Sequence, residues 1–445
     1  MSHELLSMPV QRFVGLLTQE GVHRAHLVYD RDQERVTASH PLLEPLARFI
    51  GEDTRDFMEH EGVFLQVSPT GATLQGAFVH RTCRGQAAGG VRYWTYETVE
   101  GYLRDGLRLA KGMTRKNALA GLWWGGGKGV IARNPSLPVD DPETRAHIYR
   151  EYGEFLTALR GCYVTAEDVG TSVADMAQVH AATRFTTCIP PALGGSGNPS
   201  VPTARGVVCG MEAAIDFLNA GDTLRGKTVA VQGMGHVGEP LIGFLLDKGV
   251  ARVFAWDISP DLVHAVTQRV NDTRLEARVI APNDDSGMAA DCDILAPCAT
   301  GAVLNPRTIP RLKARVVCGA ANNQLEDAAR DDRLLLERDI LYVPDFLTNR
   351  MGIVTCADEQ SGYLSPDPLI ERHLGRDWDH SIFRTTQRIL HHAKTEARTP
   401  AQVAMDLADT LSVEAHPIFG HRGQGIIDGL VRDRWFDHSP ATPSP

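Results

Sequence analysis

Thr228-Val-Ala-Val-Gln-Gly233-Met-Gly235-His-Val-Gly238 is the stretch that decides how this chain folds. Thr228 to Gln232 is a short apolar run that stops at a glycine, the pattern of a buried strand. It leads into three glycines spaced G-x-G-x-x-G, and Glu239 to Asp247 is apolar-rich and helix-compatible. A second strand-like run, Arg252-Val-Phe-Ala-Trp256, ends in Asp257. Strand, glycines, helix, strand and terminal acid therefore fall in register. In that context the glycines make a tight turn that brings a pyrophosphate to the helix N-terminus, and an acid about 20 residues further on takes ribose hydroxyls. The reading is a dinucleotide-binding unit, with an ordinary βαβ crossover as the minority alternative. Asp257 is followed by Ile258-Ser259, with no arginine to hold a 2′-phosphate, and Arg252 stands at the other end of the strand. NAD is expected over NADP.

Upstream, Met113-Thr-Arg-Lys-Asn-Ala-Leu-Ala-Gly-Leu-Trp-Trp-Gly-Gly-Gly-Lys128 carries Lys116 and Lys128, the second delivered by Gly125 to Gly127. A glycine loop lets the backbone approach a ligand. Trp123 and Trp124 read as the wall of a closed site, where burial lowers an ammonium pKa. A basic surface loop is the plainer alternative. Tyr163-Val-Thr-Ala-Glu-Asp168-Val-Gly-Thr171 runs a β-prone stretch into two carboxylates. That places acids at a strand exit, where catalytic groups of α/β proteins gather; for Glu167 and Asp168 a helix N-cap is the alternative. Gly89 and Gly90, in Gly-Gly-Val-Arg92, offer N–H groups to a carboxylate.

These segments, with Gly197-Asn-Pro-Ser200, Asp293-Ile-Leu-Ala-Pro-Cys298, Asn322-Asn-Gln-Leu325 and Ala357-Asp-Glu359, occur in order. Through them residues 60 to 430 resemble the glutamate/leucine/phenylalanine/valine dehydrogenase family, closest to its leucine dehydrogenase branch. The resemblance implies an α/β fold of two domains, a substrate domain and a Rossmann dinucleotide domain, with the active site in the cleft between them. It implies reversible oxidative deamination of an L-amino acid to its 2-oxo acid and ammonia, with NAD as cofactor and no metal. Lys116 then matches the lysine that binds the substrate α-carboxylate, assisted by Gly89 and Gly90. Lys128 matches the catalytic lysine, and Asp168 the aspartate that exchanges protons with the amine. Asn349 falls where the family has an asparagine near the substrate. Thr203 and Asn323 match nicotinamide-side contacts, and Gly233, Gly235, His236, Val237, Gly238, Asp257 and Ala299 fall on the cofactor side.

The residue types suit that chemistry. A cation on the α-carboxylate fixes the α-carbon for hydride transfer. A lysine tuned to about pKa 7–8 activates water, and an aspartate handles protons on nitrogen. Glutamate-specific relatives carry a lysine where this chain has Ala88 and a serine near Cys356, so glutamate is disfavoured: a buried carboxylate without a partner costs several kcal/mol. Ala88, Ile353 and Cys356 describe an apolar side-chain pocket for a leucine- or valine-type substrate, and Ala88 leaves room that keeps phenylalanine or another bulky amino acid open. The family's Asn-Ala-Gly-Gly is here Asn349-Arg350-Met351-Gly352, a change that either reshapes the site or points outward from a loop. A non-catalytic nucleotide-binding sensor is the alternative of another class.

With 445 residues, the chain is long enough for two domains. Net charge of −10 argues against a nucleic-acid or anionic-membrane surface. No apolar run approaches the roughly 20 residues of a membrane span, and the start lacks a secretory pattern. The eight cysteines lack CxxC spacing and read as reduced residues of a cytoplasmic protein. His80, His391 and His392 show no metal-ligand spacing. The expected organisation is an extension at residues 1–58, a substrate and oligomerisation domain at 59–200, a dinucleotide domain at 201–350, a helical segment at 351–437 that returns to the first domain, and a disordered tail at 438–445. The extension reads as a subunit contact or a small helical unit, and the family resemblance implies a homo-oligomer.

Overall fold

The computed structural model describes residues 2–70, 73–138, 141–362, 364 and 366–438. All of the expected tail except His438 lies outside them. Two sheets organise the chain. The first contains β1 (Arg24–Asp30), β2 (Arg35–Ala38), β3 (Gly62–Val67), β4 (Leu74–Arg81), β5 (Ala87–Ala88), β6 (Val91–Trp94), β7 (Gly125–Ala132) and β8 (Tyr163–Val164). Its order is β2-β1-β3-β4-β7-β5-β8, with β6 also paired to β7. Strands from β2 through β7 along that path run antiparallel, and β5, β6 and β8 add parallel pairs.

The helix Val99–Leu119 crosses this sheet. The side chain of Thr98 accepts from Gly101 N–H to start it, and Val99, Tyr102, Leu103, Gly106, Leu107 and Ala110 form the buried stripe expected of a helix with one apolar face. Its contact with β7 is close because β7 opens with glycines. A Cβ on Gly126 would lie 1.9 Å from Thr114 Oγ1. Gly125 to Gly127 are therefore strand residues in a tightly packed sheet, not the flexible loop expected from the sequence.

The second sheet contains β9 (Thr228–Gln232), β10 (Arg252–Asp257), β11 (Leu275–Val279), β12 (Ile294–Pro297), β13 (Val316–Val317) and β14 (Leu341–Tyr342). All pairs are parallel, in the order β11-β10-β9-β12-β13-β14. In chain order within this sheet that is 3-2-1-4-5-6, the doubly wound arrangement whose ligand crevice opens where the order reverses. Here the reversal lies between β9 and β12.

Two expectations about organisation are corrected. Residues 1–58 are not outside the first domain. Their strands β1 and β2 extend its sheet, and Phe13, Leu17, Leu46 and Ile50 share one core with Tyr102, Leu107 and Val130. Nor does 351–437 return as one piece. Ile389, Ala393, Val403 and Ala404 sit in the core around Val229 and Val231, whereas Ile427, Leu430 and Trp435 join the first domain's core. Among the described residues no helix is long and apolar enough to cross a membrane.

Candidate active site

A cavity of about 690 Å³ separates the two sheets' domains. The first domain lines it with Gly90, Arg92, Met113, Lys116, Lys128, Ala166, Glu167 and Asp168, and the second with Asn322, Asn323 and Asp345. Pro199, Asn349, Ile353 and Cys356 close the far wall.

Lys128 reaches it from mid-strand, paired in register with Phe78 of β4. Its Nζ lies 2.9 Å from Asp168 Oδ2. Arg92 Nε reaches the same oxygen at 3.2 Å, and the Arg92 guanidinium also pairs with Asp105 at 3.0 Å. Burial works to raise the Asp168 pKa, but Lys128 and Arg92 outweigh it and hold the carboxyl at about 2. For Lys128 the balance runs the other way: burial lowers its pKa more than Asp168 can restore, and Arg92 adds to the lowering. The result is an ion pair with a stiff anion and a lysine biased toward losing its proton.

Lys116 lies in the last turn of Val99–Leu119. Its Nζ donates to Asn322 Oδ1 at 3.3 Å across the cleft, and no carboxylate among the described residues pairs with it. Burial lowers its pKa to about 8; Asp345 opposes this and Lys128 reinforces it. Next to it, Asn117 is fully buried and ties the strands together, its Nδ2 donating to Gly125 O at 2.5 Å and to Ala88 O at 3.3 Å. Asn349 donates to Ala320 O at 2.9 Å and Asn322 Oδ1 at 2.8 Å, while its buried Oδ1 has no partner among the described residues. A buried amide oxygen left unpaired in a cavity wall is an acceptor waiting for a donor.

Glu167 and Asp168 are not helix caps. The following helix Val173–His180 is capped by Ser172 in a reciprocal box with Asp175. Burial, with Asp175 and Asp168 nearby, raises Glu167 to about 7.

Several expected contacts are placed otherwise. Ala88 is buried in β5 between β7 and β8 and does not line the cavity. Gly89 N–H is committed to Val164 O at 3.2 Å, leaving Gly90 at the wall. Trp123 is an exposed surface ring with the Arg84 guanidinium 4.2 Å above it, and Trp124 packs in the first domain's core. Arg350 neither lines the cavity nor points outward: it is fully buried and donates to Leu119 O at 2.6 Å and to His380 O. Met351 packs beside it against Ala120, Val354 and Ile382.

Four residues were not anticipated in the site: Arg92, Asp105, Cys188 and Glu359. Arg92, quoted above only as the end of Gly-Gly-Val-Arg92, holds Asp168 and is itself held by Asp105, a pairing that sequence spacing does not announce. Cys188 lines the cavity with its Sγ 3.1 Å from Cys356 Sγ, although its backbone is left-handed at φ 59°. Glu359 imposes that conformation: its carboxylate accepts from Cys188 N at 3.0 Å, Ile189 N at 3.3 Å and Ser196 N at 2.9 Å.

On the second domain, Gly233 follows β9 with φ 91°, and a Cβ there would lie 2.8 Å from that of Ala299, two residues past β12. A Cβ on Gly238 would meet Gly233 O at 2.0 Å, whereas above Gly235 there is open space. Asp257 Oδ2 accepts from Met234 N at 2.8 Å and Oδ1 from Ser259 N at 3.1 Å. His236 is exposed and Val237 leads into the helix Gly238–Asp247. Turn, open glycine and acid therefore meet at the reversal of strand order, a cradle that fits a dinucleotide. From it Ala302 N–H bonds Asn323 O at 2.8 Å, which connects the cradle to the cleft. Thr203 is buried near Gly352, its Oγ1 donating to Pro199 O at 2.8 Å.

Comparison with known proteins gives consistent findings. Residues 70–185 match the family model "Glu/Leu/Phe/Val dehydrogenase, dimerisation domain", and residues 194–415 match "Glutamate/Leucine/Phenylalanine/Valine dehydrogenase". The chain is 42% identical over 328 residues to leucine dehydrogenase of Bacillus subtilis, covering 74% of this chain and 84% of that one. It is 39% identical to valine dehydrogenase of Streptomyces coelicolor, covering 80% and 93%. Among solved structures, L-tryptophan dehydrogenase from Nostoc punctiforme superposes with a TM-score of 0.64 at 32% identity, covering 79% of this chain and 96% of that one.

Proposed function

The chain belongs to the Glu/Leu/Phe/Val dehydrogenase family, and from that premise we propose that it catalyses NAD-dependent oxidative deamination of an apolar L-amino acid. The products are the 2-oxo acid, ammonia and reduced cofactor, and the reaction is reversible. The observation that carries the reading is the cleft itself. It brings Lys116, Lys128 and Asp168 to one side and the Asn322–Asn323 loop of the dinucleotide domain to the other.

Lys116, with no carboxylate partner among the described residues, takes the substrate α-carboxylate, and Asn349 Oδ1 accepts from the substrate. Fixing these groups sets the α-carbon against the cofactor face, and that orientation supplies much of the rate. Gly233, Gly235, Gly238, Asp257 and Ala299 would hold the dinucleotide, with Thr203 and Asn323 on its nicotinamide side. The bound cofactor supplies the hydride acceptor. Loss of the α-hydride leaves an iminium on the substrate. The Asp168 carboxylate first accepts a proton from the substrate ammonium; Lys128, whose pKa burial lowers, takes the proton of the attacking water, and Asp168 returns its proton to the nitrogen as ammonia leaves. Closure of the cleft excludes competing water.

Ile353, Cys356, Ala166, Met113 and Cys188 make an apolar wall, and the nearby acids are Glu167 and Asp168. A second substrate carboxylate against that wall would meet carbon and sulfur beside two acids, with Lys116 and Lys128 already engaged, which favours a leucine- or valine-type side chain. The small residues Gly90, Ala166, Cys188 and Cys356 leave volume for a bulkier one, and phenylalanine is the second reading. Asp257, with Ile258 and Ser259 after it, supports NAD. A homo-oligomer working in the cytoplasm completes the proposal, in keeping with the dimerisation-domain match of residues 70–185.

The test is reduced-nicotinamide formation with NAD or NADP across a panel of L-amino acids, beside a Lys128→Ala control. Turnover of aliphatic substrates that vanishes in the control is expected. A protein that binds cofactor and turns over none of the panel would overturn the reading.

A further inference from the structure

Among residues that do not line the cleft, three donor atoms of mixed chemistry converge where no sequence motif announces them. Glu61 precedes β3, Cys83 follows β4, and His421 precedes the helix Arg422–Arg432. We propose that Glu61, Cys83 and His421 form a binding site for a zinc-type divalent cation that clasps the C-terminal helix to the first sheet.

The carboxylate, thiol and imidazole ligand atoms all lie within 4.8 Å of one another. His421 Nε2 is 2.8 Å from Glu61 Oε1 and 3.7 Å from Cys83 Sγ. Tetrahedral zinc with bonds of about 2.3 Å to sulfur and about 2.0 Å to nitrogen and oxygen sets neighbouring ligands about 3.3–3.6 Å apart. The sulfur–nitrogen spacing is already close to that, and the histidine–glutamate spacing has to open by roughly half an ångström for the ion to enter.

The ligands are also held from behind. Glu61 is almost wholly buried, its Oε1 accepting from Thr82 N at 3.0 Å and its Oε2 from Thr82 Oγ1 at 2.5 Å. Carboxylates oriented by such outer hydrogen bonds make better ligands. The helix carrying His421 lies hard against Thr82: a Cβ on Gly423 would be 2.4 Å from Thr82 Cβ. His416 N–H bonds Cys83 O at 2.9 Å, a second tie on the same segment.

The donor set suits the ion. Thiolate and imidazole favour zinc-like cations over magnesium or calcium, and one thiolate plus one carboxylate neutralise a divalent charge. Arg31 pairs with Glu61 at 3.2 Å but is half exposed, so its side chain can leave for solvent. His421 is also partly exposed, and water would take the fourth position.

The site is tested with Co²⁺ as a spectroscopic probe on the full-length protein after treatment with a chelator. One Co²⁺ per chain with a thiolate-to-cobalt charge-transfer band is expected. Zn²⁺ should displace it, and the thermal midpoint should rise by a few degrees with either metal. Cys83→Ser, nearly unchanged in volume, should keep the circular dichroism spectrum and lose the band; His421→Ala should bind at least tenfold more weakly. A wild-type protein without the band overturns the proposal. So does a band that persists in Cys83→Ser, which would place the ion elsewhere, for instance at Cys188 and Cys356.

Discussion

Lys128 Nζ and Asp168 Oδ2 lie 2.9 Å apart, and the Arg92 guanidinium donates to the same oxygen from 3.2 Å. Asp168 is the group that keeps Lys128 from losing its proton altogether, because burial and Arg92 both push the lysine down. Asp168→Asn should therefore move the ascending limb of kcat/KM, where neutral Lys128 is the base, to lower pH. The same change removes the proton carrier for the amine and should cut kcat by about 10²–10⁴-fold. Paired pH–rate profiles of the two proteins check this. A limb that stays in place would take Lys128 out of the base role.

Lys116 is held at about 8 by burial, with Lys128 contributing and Asp345 opposing. Only the ammonium form attracts the substrate carboxylate. Binding of a non-reacting 2-oxo-acid analogue should weaken about tenfold per pH unit between roughly pH 8 and pH 10. Lys116→Arg stays charged through that range, so its affinity, even if lower overall, should be flat with pH. Calorimetric titrations at several pH values read the slope directly, and an equal slope in both proteins would mean another group is titrating.

The parts that were legible in the sequence are local. The βαβ turn at Gly233 and the acid at Asp257 announce themselves because strand, turn and helix lie within some thirty residues, and a parallel doubly wound sheet follows from them. Lys116, Lys128 and Asp168 were found by pattern, and the cleft brings all three together. What failed depended on distant partners. Gly125 to Gly127 look like a loop until Thr114 and Tyr163 are seen pressing on them. The strand Arg24–Asp30 alternates too weakly to read alone, and its place in the sheet comes from pairing with β3. Cys188 is drawn into the cavity by Glu359, 171 residues away, and Ala88 is turned out of it by the strands on either side.

The proposed preference for NAD rests on Asp257. Its two oxygens already accept from Met234 and Ser259, which fixes the carboxylate at the end of β10. Hydrogen bonds to a charged group contribute about 1.5–3 kcal/mol, so Asp257→Ala should lower kcat/KM for NAD by roughly 10–100-fold. NADP should lose less, since the carboxylate repels a 2′-phosphate. Initial rates with both cofactors give the ratio, and equal losses would remove Asp257 from ribose recognition.

Arg350 belongs to the scaffold. Fully buried, it satisfies Leu119 O at the end of the long helix and His380 O from the C-terminal segment. Arg350→Ala leaves both carbonyls without their donor and opens a void, which should cost roughly 3–5 kcal/mol of stability. The order of preference among amino-acid substrates should not change, because the side chain does not reach the cavity. Urea denaturation and the substrate panel separate the two effects. A reordered panel at unchanged stability would return Arg350 to the substrate site.

Asp332 provides a stability test away from the chemistry. It is buried, its Oδ2 accepts from Ala401 N at 3.0 Å, and its Oδ1 has no partner among the described residues. Burial raises its pKa to about 6, further than the nearby Thr399 hydroxyl and the Ala401 N–H lower it. The folded state therefore holds the proton more tightly than the unfolded chain, whose aspartate titrates near 3.9. Stability from this group is complete below about pH 4, is lost as pH rises through about 6, and stays lost above that. Asp332→Asn keeps an oxygen for Ala401 N–H and carries no charge, so it should stabilise the protein by roughly 1–3 kcal/mol at pH 7 and hardly at all near pH 4. Denaturation midpoints at both pH values decide it: an equal shift at the two would mean that the amide acts through packing and that the buried carboxylate is not ionised at a cost.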